Sequence, residues 1–264
     1  MAEVEGTRTF QATAAAYDSF MGRYSRALAV PFADFCGWEP GMRVVDVGCG
    51  PGALTAVAID RLGSGQVVAV DPTPGFVAAC RERFPGVDVR QGAAENLPLV
   101  TGSFNSAVAQ LVFHFVSDPK RAAGEMIRVV HPGGRVAVNV WDFEAGMQML
   151  RAFWDAALAL NSAAPDELRT MRFGRAGELV ELFEGAGLAD VDEAVLSVES
   201  EYTGFDELWA TFLSGVGPAG AYTVRLPAAE QAGLRDALFD RLGRPGGPFT
   251  LRATARAVRG TRVG

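Results

Sequence analysis

Lysine is almost absent from this chain of 264 residues and occurs once, at Lys120. A Schiff-base lysine or a phosphate loop of the G-x-x-x-x-G-K type therefore has almost no candidate. Cysteine is scarce too: Cys36, Cys49 and Cys80 lie far apart and form no C-x-x-C pair. Such a set suits a reducing compartment and argues against a disulfide framework or a zinc site. The only histidines are His114 and His131. With no H-E-x-x-H, no G-x-S-x-G and no clustered ligands, no metal site is expected. Basic residues are outnumbered, 24 Lys and Arg against 31 Asp and Glu, for a formal net charge of −7. That balance disfavours non-specific binding to nucleic acid or an anionic membrane. The uncharged stretch 101–117 contains Asn105, Gln110 and His114 and is shorter than a typical membrane span. The opening Met1-Ala2-Glu3-Val4-Glu5 is acidic and does not read as a secretory signal. These absences predict a soluble, cytoplasmic protein, and no feature fixes an oligomeric state.

What is present points to one α/β domain over 1–264. Hydrophobic residues make up 49% of the chain, enough for a sizeable core. The pattern predicts short helices at 9–23 and 26–36, then strands at 43–47, 66–71, 87–91, 104–111 and 134–141. Helices at 53–62, 75–84 and 119–130 alternate with those strands. Such alternation implies right-handed crossovers and a mostly parallel, doubly wound sheet. After Trp141 it breaks down. Helices follow at 145–161 and 175–186, then a strand at 188–198, helices near 205–214 and 227–242, and a last strand near 249–258. The segments 143–173 and 200–246 read as helical lid insertions above the sheet, where added material commonly walls a pocket.

The most informative run is Val44-Val45-Asp46-Val47-Gly48-Cys49-Gly50-Pro51-Gly52. A strand passes into three alternating glycines and then into helix-compatible sequence. Glycine has no Cβ to hold a ligand away from the backbone, and the helix start beyond offers unpaired N–H groups. The pattern implies a nucleotide-like cofactor across the end of a strand. Gly48, Gly50 and Ala53 also satisfy the G-x-G-x-x-G/A fingerprint of dinucleotide-binding folds. Asp71 ends the next strand, 21 residues beyond Gly50, where a carboxylate can accept from both ribose hydroxyls or can form a turn before Pro72. Asp46 could orient the glycine turn or meet a positively charged ligand group.

These runs, together with Ala-Glu-Asn-Leu-Pro at 94–98, Gly-Ser-Phe-Asn at 102–105 and Arg-Val-Val-His-Pro-Gly-Gly at 128–134, closely resemble the class I S-adenosylmethionine-dependent methyltransferases. The group most similar is the small-molecule one related to ubiquinone and menaquinone methyltransferases. The resemblance covers residues 10–142 and implies a seven-stranded Rossmann-like sheet. It implies that the backbone of Gly48, Cys49 and Gly50 passes under the methionine part of S-adenosylmethionine. Asp71 would take the ribose hydroxyls, Pro72 or Thr73 would line the adenine, and Ala94 and Glu95 would meet the adenine edge. Many relatives have Asp where Ala93 stands, so Glu95 or backbone must supply that contact. The stretch Tyr17 to Ser25 is similar to the opening helix of this family. There Arg23 would pair with the methionine carboxylate, and Tyr17 or Tyr24 would add a hydroxyl donor. Gln110 ends the fourth strand as a cofactor-shell candidate.

Methyl transfer from a sulfonium is an in-line displacement that an apolar, water-poor site favours. His114, at the pocket end of the fourth strand, is the candidate general base, with a packing role as the alternative. His131 lies in the turn on the far side of the sheet. Phe143, Trp154, Phe173, Trp209, Phe212 and Tyr222 would roof a small-molecule acceptor or be ordinary core. Two other readings remain open: a nicotinamide-dependent oxidoreductase, and a non-catalytic protein that holds the cofactor.

Overall fold

The computed structural model describes residues 18–143, 146–169 and 171–264. Seven strands form one sheet in the order β3-β2-β1-β4-β5-β7-β6. They are β1 (Val44–Val47), β2 (Val67–Asp71), β3 (Asp88–Gln91), β4 (Phe104–Gln110), β5 (Val130–Trp141), β6 (Leu188–Tyr202) and β7 (Phe249–Arg262). The first five run parallel, with Val44 opposite Val67 and Ala107 opposite Val136. β7 enters antiparallel between β5 and β6. Dinucleotide-binding folds continue in parallel as 3-2-1-4-5-6, so this inserted strand separates the sheet from theirs.

β1 and β2 are buried at every position, which is why they read as nearly unbroken apolar runs rather than as alternation. Their side chains still divide between two layers. Val45, Val47, Val68 and Val70 pack with α4 (Pro119–Val129) and α6 (Glu178–Gly185). On the other face Val44 and Val67 meet α1 (Arg23–Cys36), α2 (Ala53–Leu62) and α3 (Pro74–Arg83) through Phe32, Leu54 and Cys80. A further core lies at the carboxyl ends of the strands. It joins α1 to α5 (Gln148–Leu160), α7 (Phe205–Leu213), α8 (Gly217–Arg225) and α9 (Ala228–Arg241) through Tyr24, Phe153, Trp154, Phe212 and Leu238.

Differences from the sequence reading have local causes. Expected helix 9–23 lies mostly outside the described residues; from Asp18 a short π-turn runs into α1, with no break near Tyr24. β5 starts at Val130 rather than at 134, because the Pro-Gly-Gly run is absorbed beside a shift in register between Phe104 and Ser106. α8 was not expected from a stretch containing Gly217, Pro218 and Gly220. Pro218 falls in its first turn, where a missing N–H costs nothing. Phe143 alone among the six expected roof aromatics lines the inner cavity described below, whereas Trp154 and Phe212 are fully buried core.

Candidate active site

The glycine turn sits where β1 ends between β2 and β4. Gly48 and Cys49 both donate their N–H to the Val70 carbonyl, at 2.7 and 3.1 Å. Gly48 adopts φ +73°, and a Cβ there would collide with Val112. Gly50 adopts φ +53° for a different reason: a Cβ there would project into open space with nothing within 4 Å. One glycine is required by packing against the protein; the other leaves a cradle that a Cβ would partly fill.

Asp71 binds this turn to the end of β2. Its Oδ2 accepts from the Gly50 N–H at 2.9 Å and its Oδ1 from the Thr73 N–H at 2.8 Å. Burial raises its pKa, against those hydrogen bonds. Two bonds leave acceptor capacity on both oxygens, so the carboxylate can shape the turn and still receive ribose hydroxyls. Asp46 lies below, fully buried, and accepts from the Thr55 hydroxyl at 2.6 Å, which ties β1 to α2 across the turn. Burial pushes its pKa up to about 7. Gln110 donates to the Ser25 carbonyl at 2.9 Å, while its buried Oε1 has no partner among the described residues. The cradle at Gly50, the remaining capacity of Asp71 and this orphaned acceptor fit an adenosyl cofactor with its hydroxyl and amino donors.

Other expected ligands have different partners. Arg23 forms an ion pair with Glu207, donates to the Glu201 carbonyl at 3.1 Å and lies 4.2 Å over the Tyr202 ring. Its guanidinium therefore fastens α1 to α7 instead of standing ready for a methionine carboxylate. The hydrogen bond from Arg23 pulls the Glu207 pKa down to about 2. The Tyr24 hydroxyl meets that of Tyr202 at 3.1 Å inside the core. Glu95 also departs from expectation. Its Oε1 accepts from the Ser117 N–H and hydroxyl, both at 2.8 Å, and so braces the loop after β4. Burial opposes its charge, yet these bonds hold its pKa below the ordinary range. Ala94 is buried, Pro72 is exposed beside the Asp71 turn, and Tyr17 lies outside the described residues.

Two cavities adjoin at the carboxyl ends of β4 and β5. The inner one is a narrow slot of about 40 Å³ with Phe20, Met21, Leu111, Trp141, Phe143 and Leu150 among its walls. Leu111 reaches it with φ +63°, an uncommon conformation for a non-glycine residue directly after a strand. Among the described residues, the one ionisable side chain that lines this slot is Glu167. The outer cleft, about 820 Å³, shares Phe143 and Met171 with it and carries Arg151, Arg169, Arg172 and Arg175. Sequence reasoning missed the slot and Glu167, because an acidic residue in Ala163-Ala164-Pro165-Asp166-Glu167 reads as solvated loop.

His114 is not among the residues lining either cavity. It packs behind Phe143, with ring centroids 4.6 Å apart, and its Nδ1 lies 2.6 Å from the Arg172 carbonyl. A carbonyl only accepts, so Nδ1 carries the proton. Burial brings the His114 pKa down to about 4, which makes it a weak base at neutral pH. The structure favours packing and loop anchoring over the expected base role.

A family model described as a methyltransferase domain matches residues 45–138. The chain is 39% identical over 100 residues to an uncharacterized methyltransferase of Mycobacterium tuberculosis, covering 38% of this chain and 40% of that protein. It is 35% identical over 105 residues to the demethylmenaquinone methyltransferase of Renibacterium salmoninarum, covering 40% and 44% respectively. The chain spans between 28% and 52% of the length of such curated relatives. In fold it is similar to phosphoethanolamine N-methyltransferase 2 of Haemonchus contortus, solved with phosphomonomethylethanolamine and S-adenosylhomocysteine. That likeness has a TM-score of 0.61 at 14% identity and covers 100% of this chain and 61% of the other. Residues 45–138 thus match a methyltransferase domain, and the seven-stranded sheet that holds them has the fold of a solved methyltransferase.

Proposed function

We propose that this protein transfers a methyl group from S-adenosylmethionine to a small-molecule acceptor by in-line displacement. The observation that carries the reading is the Gly50 cradle, its N–H tied to the Asp71 carboxylate where β1 and β2 end. When bound, S-adenosylmethionine supplies an electrophilic methyl carbon on a positively charged sulfur. Gly48, Cys49 and Gly50 would support its methionine portion through backbone, Asp71 would accept from the ribose, and Gln110 Oε1 would accept from an amino group. The Phe20, Met21, Trp141 and Phe143 walls exclude water from the reacting end, where orientation can supply about 7–11 kcal/mol. The matched relatives named as methyltransferases of small molecules support a small acceptor.

Calorimetry with S-adenosylmethionine, S-adenosylhomocysteine and NAD tests this reading, together with turnover on candidate acceptors. Binding of the two adenosyl ligands and not of NAD is expected. Binding of NAD alone overturns it in favour of a nicotinamide enzyme, and tight adenosyl binding with no turnover on any acceptor favours a non-catalytic carrier.

A further inference from the structure

The outer cleft carries a charge pattern that methyl transfer itself does not call for. It holds about 820 Å³, room for a drug-sized molecule, between α5, the segment 166–175 and the first turn of α6. Its four arginines share the wall with Asp155, Asp166, Glu178 and Glu181. By number these charges cancel; by partner they do not. Arg151 pairs with Asp155 and Asp166, and Arg169 pairs with Asp166. Asp155 also receives Arg241 from α9. Glu178 accepts from the Arg175 backbone N–H at 3.0 Å, so its carboxylate is committed to the start of α6. Among the described residues, neither the Arg172 nor the Arg175 guanidinium has a carboxylate partner. Two cations therefore stand against Glu181 alone, a local excess of positive charge in a chain of net charge −7.

The segment that bears both arginines is held by other groups. The Arg172 carbonyl lies 2.6 Å from His114 Nδ1, and the Gly174 carbonyl accepts from Arg256 Nε at 3.3 Å. Between them Phe173 takes φ +65°, a conformation that a bulky residue keeps only where its surroundings impose it. Arg172 gives one N–H to the Val116 carbonyl, which leaves the rest of its donor fork open. Phe143, Leu158, Met171 and Phe173 give the same cleft an apolar side.

We propose that the outer cleft binds a small molecule built from an oxyanion on an apolar body, with Arg172 and Arg175 holding the oxyanion. Carboxylate and phosphate share the chemistry that a guanidinium reads, two oxygens meeting paired N–H donors. Two such forks on one braced segment can meet one ligand group without first ordering the backbone. The apolar body packs on the Phe143 side. Phe143 and Met171 also line the slot, so a ligand seated in the cleft borders it. The inference goes beyond the methyl-transfer reading and stands without it.

Calorimetry on the full chain tests it, with benzoate, phenyl phosphate, uncharged benzamide and inorganic phosphate as probes. One of the two phenyl anions should bind at least about tenfold more tightly than benzamide, as charge-assisted hydrogen bonds require. Whichever binds more tightly assigns the group. Its affinity should fall as salt rises. Arg175→Gln, at an exposed position, should weaken it by about tenfold. Arg244→Gln, also exposed and outside the cleft, should change it by less than about twofold. Benzamide binding as tightly as both anions, neither anion binding, or equal losses in the two variants overturns the proposal. Inorganic phosphate binding as tightly as phenyl phosphate overturns the apolar body and leaves a bare anion site. None of these measurements uses S-adenosylmethionine, so failure here leaves the methyl-transfer reading to its own calorimetry.

Discussion

The two halves of this site are built by opposite means. The cofactor half is backbone: a glycine turn held by Val70 and Asp71, drawn from residues within about 30 positions of one another. The slot proposed for the acceptor is side chain, with Phe20, Leu111, Trp141 and Phe143 brought together from across the chain. A backbone site tolerates little change, since its geometry is its chemistry. A side-chain pocket can be relined while the sheet stays intact, which is how one fold serves many acceptors.

The sharpest break in the comparison comes from the glycine turn. Gly48→Ala must place a Cβ into Val112 at a positive φ and should destabilise the protein by about 2–5 kcal/mol. Val112→Ala in the same chain should restore the packing part of that loss but not the backbone part. Gly50→Ala, two residues on, should cost only about 1–2 kcal/mol because nothing lies near its Cβ. Its affinity for S-adenosylhomocysteine should nonetheless fall by about tenfold or more, as the added methyl occupies the cradle. Denaturant unfolding and calorimetry read the two effects separately. Equal stability losses at both positions would show that the turn is uniform and that the cradle argument is wrong.

The next effect compares the two buried carboxyls, Asp46 below the glycine turn and Glu167 in the wall of the slot. Each has its pKa raised by burial to about 7, from 3.8 and 4.5. Such a group holds its proton more tightly when folded. The protein therefore loses stability as pH rises from the unfolded value through the folded one. For Glu167 the loss amounts to up to about 3 kcal/mol above neutrality. Glu167→Gln should accordingly be more stable than the wild type at pH 8 and little different near pH 4. Asp46→Asn should behave alike in stability. A drop in stability of Glu167→Gln at pH 8 would mean that the carboxylate is held by more than it costs.

The same division explains what could be read from the sequence. The strands β1 to β5 and the glycine turn follow from local pattern, because a parallel strand and the bend after it are written in adjacent residues. The antiparallel pairing of β7 between β5 and β6 is not, since long-range order within a sheet leaves no local trace. Residue type alone does not give the partners of Arg23 and Glu95. Both are suited to ligands, yet Glu207 and Ser117, far away in the chain, claim them. Glu167 was illegible for the converse reason: its burial goes with a hydrogen bond from Trp154 and a place in the wall of the slot, neither of which its neighbours announce.

His114 offers a smaller effect at the seam between the halves. Its folded pKa of about 4 lies below the ordinary 6.5, so the unfolded chain binds the proton more readily. The stability it contributes is complete above pH 6.5 and drains away as pH falls to about 4. His114→Phe should remove that acid-side slope. It should also cost about 1–3 kcal/mol at pH 7 by leaving the Arg172 carbonyl unsatisfied. Turnover at saturating cofactor should stay within about tenfold of the wild type. A larger fall restores His114 as a base.

The smallest effect concerns the contact that fastens the halves together. Arg23 and Glu207 are partly solvated, with side chains 22% and 33% exposed, so their ion pair contributes at most about 1 kcal/mol and less in high salt. Arg23→Ala should therefore leave the unfolding midpoint nearly unchanged. It frees α1 from α7 at the edge of the helical layer, and the loss of its stacking on Tyr202 adds to that. Hydrogen exchange in residues 203–213 should quicken, while affinity for S-adenosylhomocysteine should stay within about threefold. Glu207→Gln should quicken exchange in the same way, since either partner alone suffices to break the pair. If Arg23→Ala loses cofactor affinity and Glu207→Gln does not, the guanidinium leaves Glu207 when ligand arrives. The opening helix would then belong to the cofactor half after all.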